Sequence, residues 1–172
     1  MRLASALLLL GLPAIAAAQS DLQLLDYHTQ VPAGWTSRAP SSTSRLAEFV
    51  VPKTAAGDAE VVVFFFGAQQ KPNVDANLTR WRGQFSNPDG AAVNEYVARD
   101  SSGPFPLTFA RYQGTYRRGI GAGSADSVRT GQQLVAAIIE TPKGVLFAQL
   151  FGPIARVEAE RETFTRFVKA IR

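Results

Sequence analysis

The amino-acid sequence predicts an α+β domain in which two helices pack on a mainly antiparallel sheet, and three observations lead there. A run of apolar β-formers, Val61 to Phe66, stands between turn residues. Two amphipathic helical patterns, one beginning near Asn73 and one opening at Pro153, are separated by a long series of strand-like segments. No linker long enough to divide the chain falls between them. Strands, a helix, several antiparallel strands and a closing helix form the order of a layered α+β domain.

The opening of the 172-residue chain does not belong to that domain. Met1-Arg2, an apolar run from Leu3 to Ala18 and the small residues Ala16-Ala17-Ala18 before Gln19 match the three parts of a secretory signal peptide. A membrane-spanning helix needs roughly 20 apolar residues, and Pro13 interrupts this shorter stretch. Residues 1–18 are therefore expected to be a signal peptide and residues 19–172 a single globular domain, periplasmic or secreted, without stable membrane insertion. The chain has no cysteine, which removes both a lipoprotein acceptor and a disulfide framework. Its formal charge of +4 falls by one when Arg2 is lost. That mild excess favours weak attraction to anionic surfaces and is far from the dense basic stripe of a nucleic-acid binder.

Along the mature chain, Leu22, Leu24 and Leu25 suggest a short strand, and the turn Val31 to Gly34 delivers Trp35 onto the domain. Arg45 to Val51 alternates as a strand should and is expected to end at Pro52. After the turn Ala55 to Asp58, the run Glu60 to Gly67 needs cover on both faces, because one exposed face would put three large side chains in water. With Asn73 as N-cap, Val74, Leu78, Trp81 and Phe85 then recur at helical spacing until Asn87-Pro88-Asp89-Gly90. Val93 to Asp100 and Leu107 to Arg117 read as strands, followed by a glycine-rich loop from Gly119 to Ser127. Leu134 to Glu140 and Val145 to Phe151 form a hairpin about Pro142 and Gly144. Pro153 opens the last helix, whose stripe is Val157, Phe164, Phe167, Val168 and Ile171, with Glu162 four residues before Arg166.

Two stretches carry a resemblance. Phe64-Phe65-Phe66-Gly67 followed by Ala76-Asn77-Leu78-Thr79-Arg80-Trp81-Arg82-Gly83-Gln84-Phe85 resembles a family of uncharacterised exported bacterial proteins with a recurring A-N-x-x-R-W-x-x-Q-F pattern. The closing Leu150-Phe151-Gly152-Pro153 and Phe164 to Ile171 are similar to the final strand and helix of that family and, more loosely, of PsbP-like and Mog1-like domains. The resemblance implies an α/β/α sandwich around a mainly antiparallel sheet. It implies no activity, since PsbP-like and Mog1-like domains mostly serve as protein-interaction modules. Where the family often has a glycine-rich link after the central strand, this chain has Ala68-Gln69-Gln70-Lys71-Pro72.

Few chemistries can be built from these residues. Without cysteine, and with His28 as the only imidazole, nucleophilic triads and the common zinc sets have no support. No catalytic, metal-binding or cofactor-binding residue is assigned, and no cofactor is expected. Carboxylate pairs remain: Asp58 with Glu60, or Glu48 brought near Glu95 by strand pairing. Arg111 to Arg118 interleaves bases with Tyr112 and Tyr116, the pattern of a half-buried strand with a solvated basic face. Trp81 reads as a core anchor. The one localised candidate is a polar ridge on the first helix, Asn77, Arg80 and Gln84, where a guanidinium flanked by two amides suits a carboxylate or a peptide backbone. The expected role is an exported, non-enzymatic domain binding a protein or a cell-envelope component. A carboxylate-based hydrolase of envelope polymers and a small-ligand carrier are the alternatives.

The mature protein is expected to begin at Gln19. Intact mass measurement on material from the periplasm or medium checks this; a mass that retains residues 1–18 overturns it.

Overall fold

The computed structural model describes residues 20–54, 57–69, 73–117 and 128–172. The amino-terminal segment and the glycine-rich loop lie outside them, so the expectations made for those stretches are not met or refused by the structure. Among the described residues a small hairpin, β1 (Asp21–Leu24) and β2 (Tyr27–Gln30), precedes one eight-stranded antiparallel sheet. The sheet strands are β3 (Thr36–Arg38), β4 (Arg45–Thr54), β5 (Gly57–Phe65), β6 (Phe85–Ser86), β7 (Asn94–Asp100), β8 (Leu107–Arg117), β9 (Val128–Thr141) and β10 (Gly144–Pro153). Helix α1 (Val74–Arg82) packs on one face and α2 (Ile154–Lys169) on the other. The spatial order is β3-β4-β5-β10-β9-β8-β6, with β7 also paired to β8.

The apolar run behaves as its composition requires. In β5, Val61 and Val63 join the core under α2, while Phe64 packs against the core under α1. The same alternation sorts β9, where Val135, Ala137 and Ile139 face α2 and Leu134, Ala136 and Ile138 face α1. Side chains therefore leave these strands in both directions into two cores, the arrangement of an α/β/α sandwich.

On the α2 side, Val157, Phe164, Phe167, Val168 and Ile171 are all buried, as their spacing predicts. Trp35 is brought onto this helix by the turn before it, with its ring 5.2 Å from Phe167 and 5.7 Å from Phe49. The chain terminus is tied to the hairpin by reciprocal backbone bonds between His28 and Arg172 of 3.0 and 3.2 Å. On the α1 side, Trp81 is 1% exposed and meets Phe147 edge-on.

Four expectations are corrected. The first helix is shorter than its apolar spacing suggests: Gly83 caps it, and Phe85 pairs with Tyr116 in β6. Phe85 keeps its place in the core from a strand because the chain turns directly under α1. Strand β4 continues past Pro52 to Thr54, with a shift of register between Val51 and Thr54 that accommodates a residue lacking an N–H. Strand β9 starts at Val128, well before the apolar run, because β8 offers it a partner through Arg117. Arg166 donates to the Thr163 hydroxyl at 3.2 Å where Glu162 was expected as its partner.

Phe167→Ala is expected to cost about 3–5 kcal/mol, since it opens a cavity between Trp35 and Phe49. Val128→Ala, at a side chain 50% exposed, should cost about 0.5 kcal/mol or less. Urea denaturation of both variants checks the contrast.

Candidate functional site

The sequence-predicted ridge is assembled only in part. Asn73 caps α1 by accepting from the Ala76 N–H at 2.9 Å, and its carbonyl accepts from Asn77 Nδ2 at 2.9 Å. Asn77 Oδ1 in turn accepts from Arg80 Nη2 at 3.0 Å, and the Arg80 guanidinium carbon lies 5.9 Å from the Trp81 ring centre. Arg80 is exposed and held in one orientation. Gln84 is not on the helix, because Gly83 has already ended it. Its N–H donates to the Trp81 carbonyl and its own carbonyl accepts from Arg117, which places it in the link to β6.

The carboxylate pairs do not form a site. Glu48 on β4 and Glu95 on β7 are separated by the strands β5, β10, β9 and β8. Glu48 is buried and accepts from both the backbone N–H (2.6 Å) and the hydroxyl (2.7 Å) of Ser41, with Arg45 at 3.2 Å. The Ser41 bonds, assisted by Arg45, hold its carboxyl below the usual range against the opposing effect of burial. Glu95 is bound by Arg82 at 3.0 Å, and Glu60, the partner proposed for Asp58, by Arg38 at 3.1 Å. Among the described residues no cluster of three metal-ligating side chains occurs.

A different site lies on the α2 face. Strands β8 and β7 extend the sheet beyond the part that α2 covers, and strand register lays their side chains in rows. Tyr96 stands opposite Arg111 and Arg111 opposite Val135; Ala98 stands opposite Phe109; Asp100 stands opposite Leu107. Above them runs the flank of α2 carrying Glu158, Arg161, Thr165 and Lys169, residues spaced to share one side of a helix. Floor and wall enclose an open cleft of about 460 Å³. Arg111 is thus roofed by α2 and only 30% exposed at its side chain, so the solvated basic face expected of β8 is here a cleft wall. Its guanidinium carbon sits 5.8 Å from the Tyr96 ring centre.

Ion pairs close both ends. At one end Glu158 receives Arg161 Nε at 3.0 Å, Arg111 Nη1 at 3.5 Å and the amide of the fully buried Gln133 at 2.7 Å. Gln133 accepts from Gln113, and Gln113 from Asn94, so an amide row crosses β7, β8 and β9 and reaches the helix. Burial pushes the Glu158 carboxyl up, but the bonds from Gln133 and Arg161 and the charges of Arg161 and Arg111 outweigh it and leave it below its ordinary value. At the other end Lys169 meets Asp100. Lys169, with the hydroxyl and N–H of Ser102, holds the Asp100 carboxyl far below the usual carboxylate range.

With the geometry in view, the chain can be set beside known proteins. No protein-family model and no curated protein matches it. The solution structure of cyanobacterial PsbP (CyanoP) from Synechocystis superposes with a TM-score of 0.56 at 10% identity, covering 94% of this chain and 96% of that one. The fold is PsbP-like. The crystal structure of PA94, a protein of unknown function from Pseudomonas aeruginosa, aligns with a TM-score of 0.49 at 15% identity over 89% of this chain and 95% of that one. At 10% identity the likeness to CyanoP concerns the scaffold and not the side chains of the cleft. Among the described residues no helix is long and apolar enough to cross a membrane.

Sequence reasoning missed the cleft because its residues come from four separate segments. One signal was legible: Glu158, Arg161, Thr165 and Lys169 form a charged flank directly beside the apolar stripe of the last helix. What they face is set by strand order, which no local pattern encodes.

Asp100 and Glu158 are both depressed in the folded protein, so the stability they supply is present above about pH 4 and is lost as pH falls through their folded values. Glu158→Gln should therefore lose less stability than the parent between neutral and acid pH. Urea midpoints measured at both pH values check this; equal losses overturn the assignment of the Glu158 pairs.

Proposed function

We infer that the chain is an exported, non-enzymatic PsbP-like domain that binds a protein or another cell-envelope component, with the cleft between β7, β8 and α2 as its main contact face. The observation that carries this reading is the state of the cleft's carboxylates. General acid or base work at neutral pH needs a group whose pKa lies near that pH. Asp100 and Glu158 are instead depressed and locked to Lys169, Arg161 and Arg111. What is left to a visitor is an apolar floor beside guanidinium donors, a surface suited to recognition. This favours binding over carboxylate-based hydrolysis. A volume of about 460 Å³ also falls in the range of small-ligand sites, which keeps the carrier reading in play for the same cleft.

The ridge on α1 is a second contact. Arg80 is exposed while Asn77 fixes its direction, so its remaining donors are aimed outward before any partner arrives. It lies on the opposite face of the sheet from the cleft.

Photo-crosslinking in the cell envelope tests the reading. A benzophenone amino acid at position 96 is expected to trap a discrete partner, and the adduct should fade when Arg161→Glu is added. A discrete adduct from position 80 with none from position 96 transfers the function to the ridge. An adduct at neither position overturns the binding reading.

A further inference from the structure

We propose that the cleft takes an amphiphilic anion: one carboxylate, phosphate or sulfate head on an unbranched apolar tail. The proposal rests on the reading of the cleft as a binding face and names the chemistry that this face selects.

Charge locates the head. At the Glu158 end two guanidiniums, Arg111 and Arg161, share a single carboxylate, whereas at the far end Lys169 and Asp100 balance one to one and Arg99, which borders the cleft, sits at a β7 position that alternates to the opposite face of the sheet. The uncompensated positive charge is therefore at the Arg111 and Arg161 end. Arg161 spends its Nε on Glu158 and is 45% exposed at its side chain, so its terminal nitrogens remain open to an incoming oxyanion.

The floor decides the body. From Tyr96 it runs over Phe109, Ala98 and Val135; β8 and β9 beneath are paired on both sides, and β7 is paired to β8 on its inner side. The amides and the hydroxyl along the way are already engaged: Gln113 and Gln133 bond each other, and the Thr165 hydroxyl donates to the Arg161 carbonyl; Arg111 Nε is buried without a partner among the described residues at the head-group end. A peptide laid in the cleft would bring N–H groups to a surface whose only carboxylates are ion-paired. An alkyl chain makes no such demand and gains from covering the floor.

Length follows from the helix. Glu158 and Lys169 are about 16 Å apart along α2. The Lys169–Asp100 pair stands across the far end, so the cleft accepts a medium-length tail and resists one that must pass the pair.

Titration calorimetry with decanoate, decanol and acetate tests each part. Decanoate is expected to bind at least about tenfold tighter than decanol, a difference of about 1.4 kcal/mol, and acetate to show no measurable heat. Arg161→Gln, at an exposed helix position, should weaken decanoate about tenfold or more with only the small fall in melting temperature that loss of its surface pair with Glu158 brings, and Ala98→Phe should abolish binding by filling the floor. Decanol equal to decanoate overturns the head-group assignment. Decanoate affinity unchanged in both variants overturns the site. An acidic peptide that binds more tightly than decanoate overturns the ligand class. Failure here with a position-96 adduct intact leaves the binding reading standing, whereas loss of both removes it.

Discussion

The central stretches of strands β5, β10 and β9 have no face left for water, and the remaining elements are placed by that constraint. Val61 and Val63 point to one side and Phe64 to the other, so each face of the sheet needs its own cover. A slip of one residue in pairing would exchange the two sets and bring each core the other's side chains. Register is therefore held by the two cores together. Helix α2 covers one side with four buried apolar residues, while α1, only nine residues long, needs help from an aromatic row. Phe85, Tyr112, Tyr116 and Phe151 supply it, with ring centres 4.5 to 6.2 Å apart.

The cleft is a consequence of this layering. Neighbouring strands lie about 4.8 Å apart, so β8 and β7 continue the sheet beyond the strands on which α2 docks. The polar flank of α2 then overhangs them and meets them through ion pairs. In a sheet ending at β9 that flank would face solvent. The ion pairs at either end fix the height of the overhang, since Glu158 reaches down to Arg111 and Lys169 to Asp100.

Several buried polar side chains in this domain are bonded locally and serve as joints between layers, while Arg111 Nε and Arg156 Nε are buried without a partner among the described residues. Gln133, fully buried on β9, bonds Glu158 on the helix above and Gln113 on the strand beside it. Arg156, 5% exposed, bonds Glu160, which also accepts from the Trp35 indole at 3.3 Å. Glu48 gathers Ser41 and Arg45 at the other margin of the sheet. Truncating one member of such a joint leaves its partner desolvated and unpaired, which costs more than the bond itself contributes.

Much of the scaffold was legible in the sequence because it depends on local periodicity. The run around Val61 to Phe64 announced two-sided burial, Phe164 and Phe167 announced the docking of the last helix, and Asn73 announced the start of the first. The end of that helix was misread because Phe85 has helical spacing yet reaches the same core from a strand. Of the candidate site, Asn77 and Arg80 were placed from their spacing, and Gln84 was lost with the helix end. The cleft was beyond reach: Tyr96, Arg111 and Arg161 come from three segments, and the strand order that brings them together was not readable from any one of them. The sequence by itself determined which residues leave water and at what period. Tertiary structure alone decided which charged flank overhangs which strand, because burial energy depends on the amount of apolar area covered and is indifferent to the identity of the polar neighbours that covering brings together.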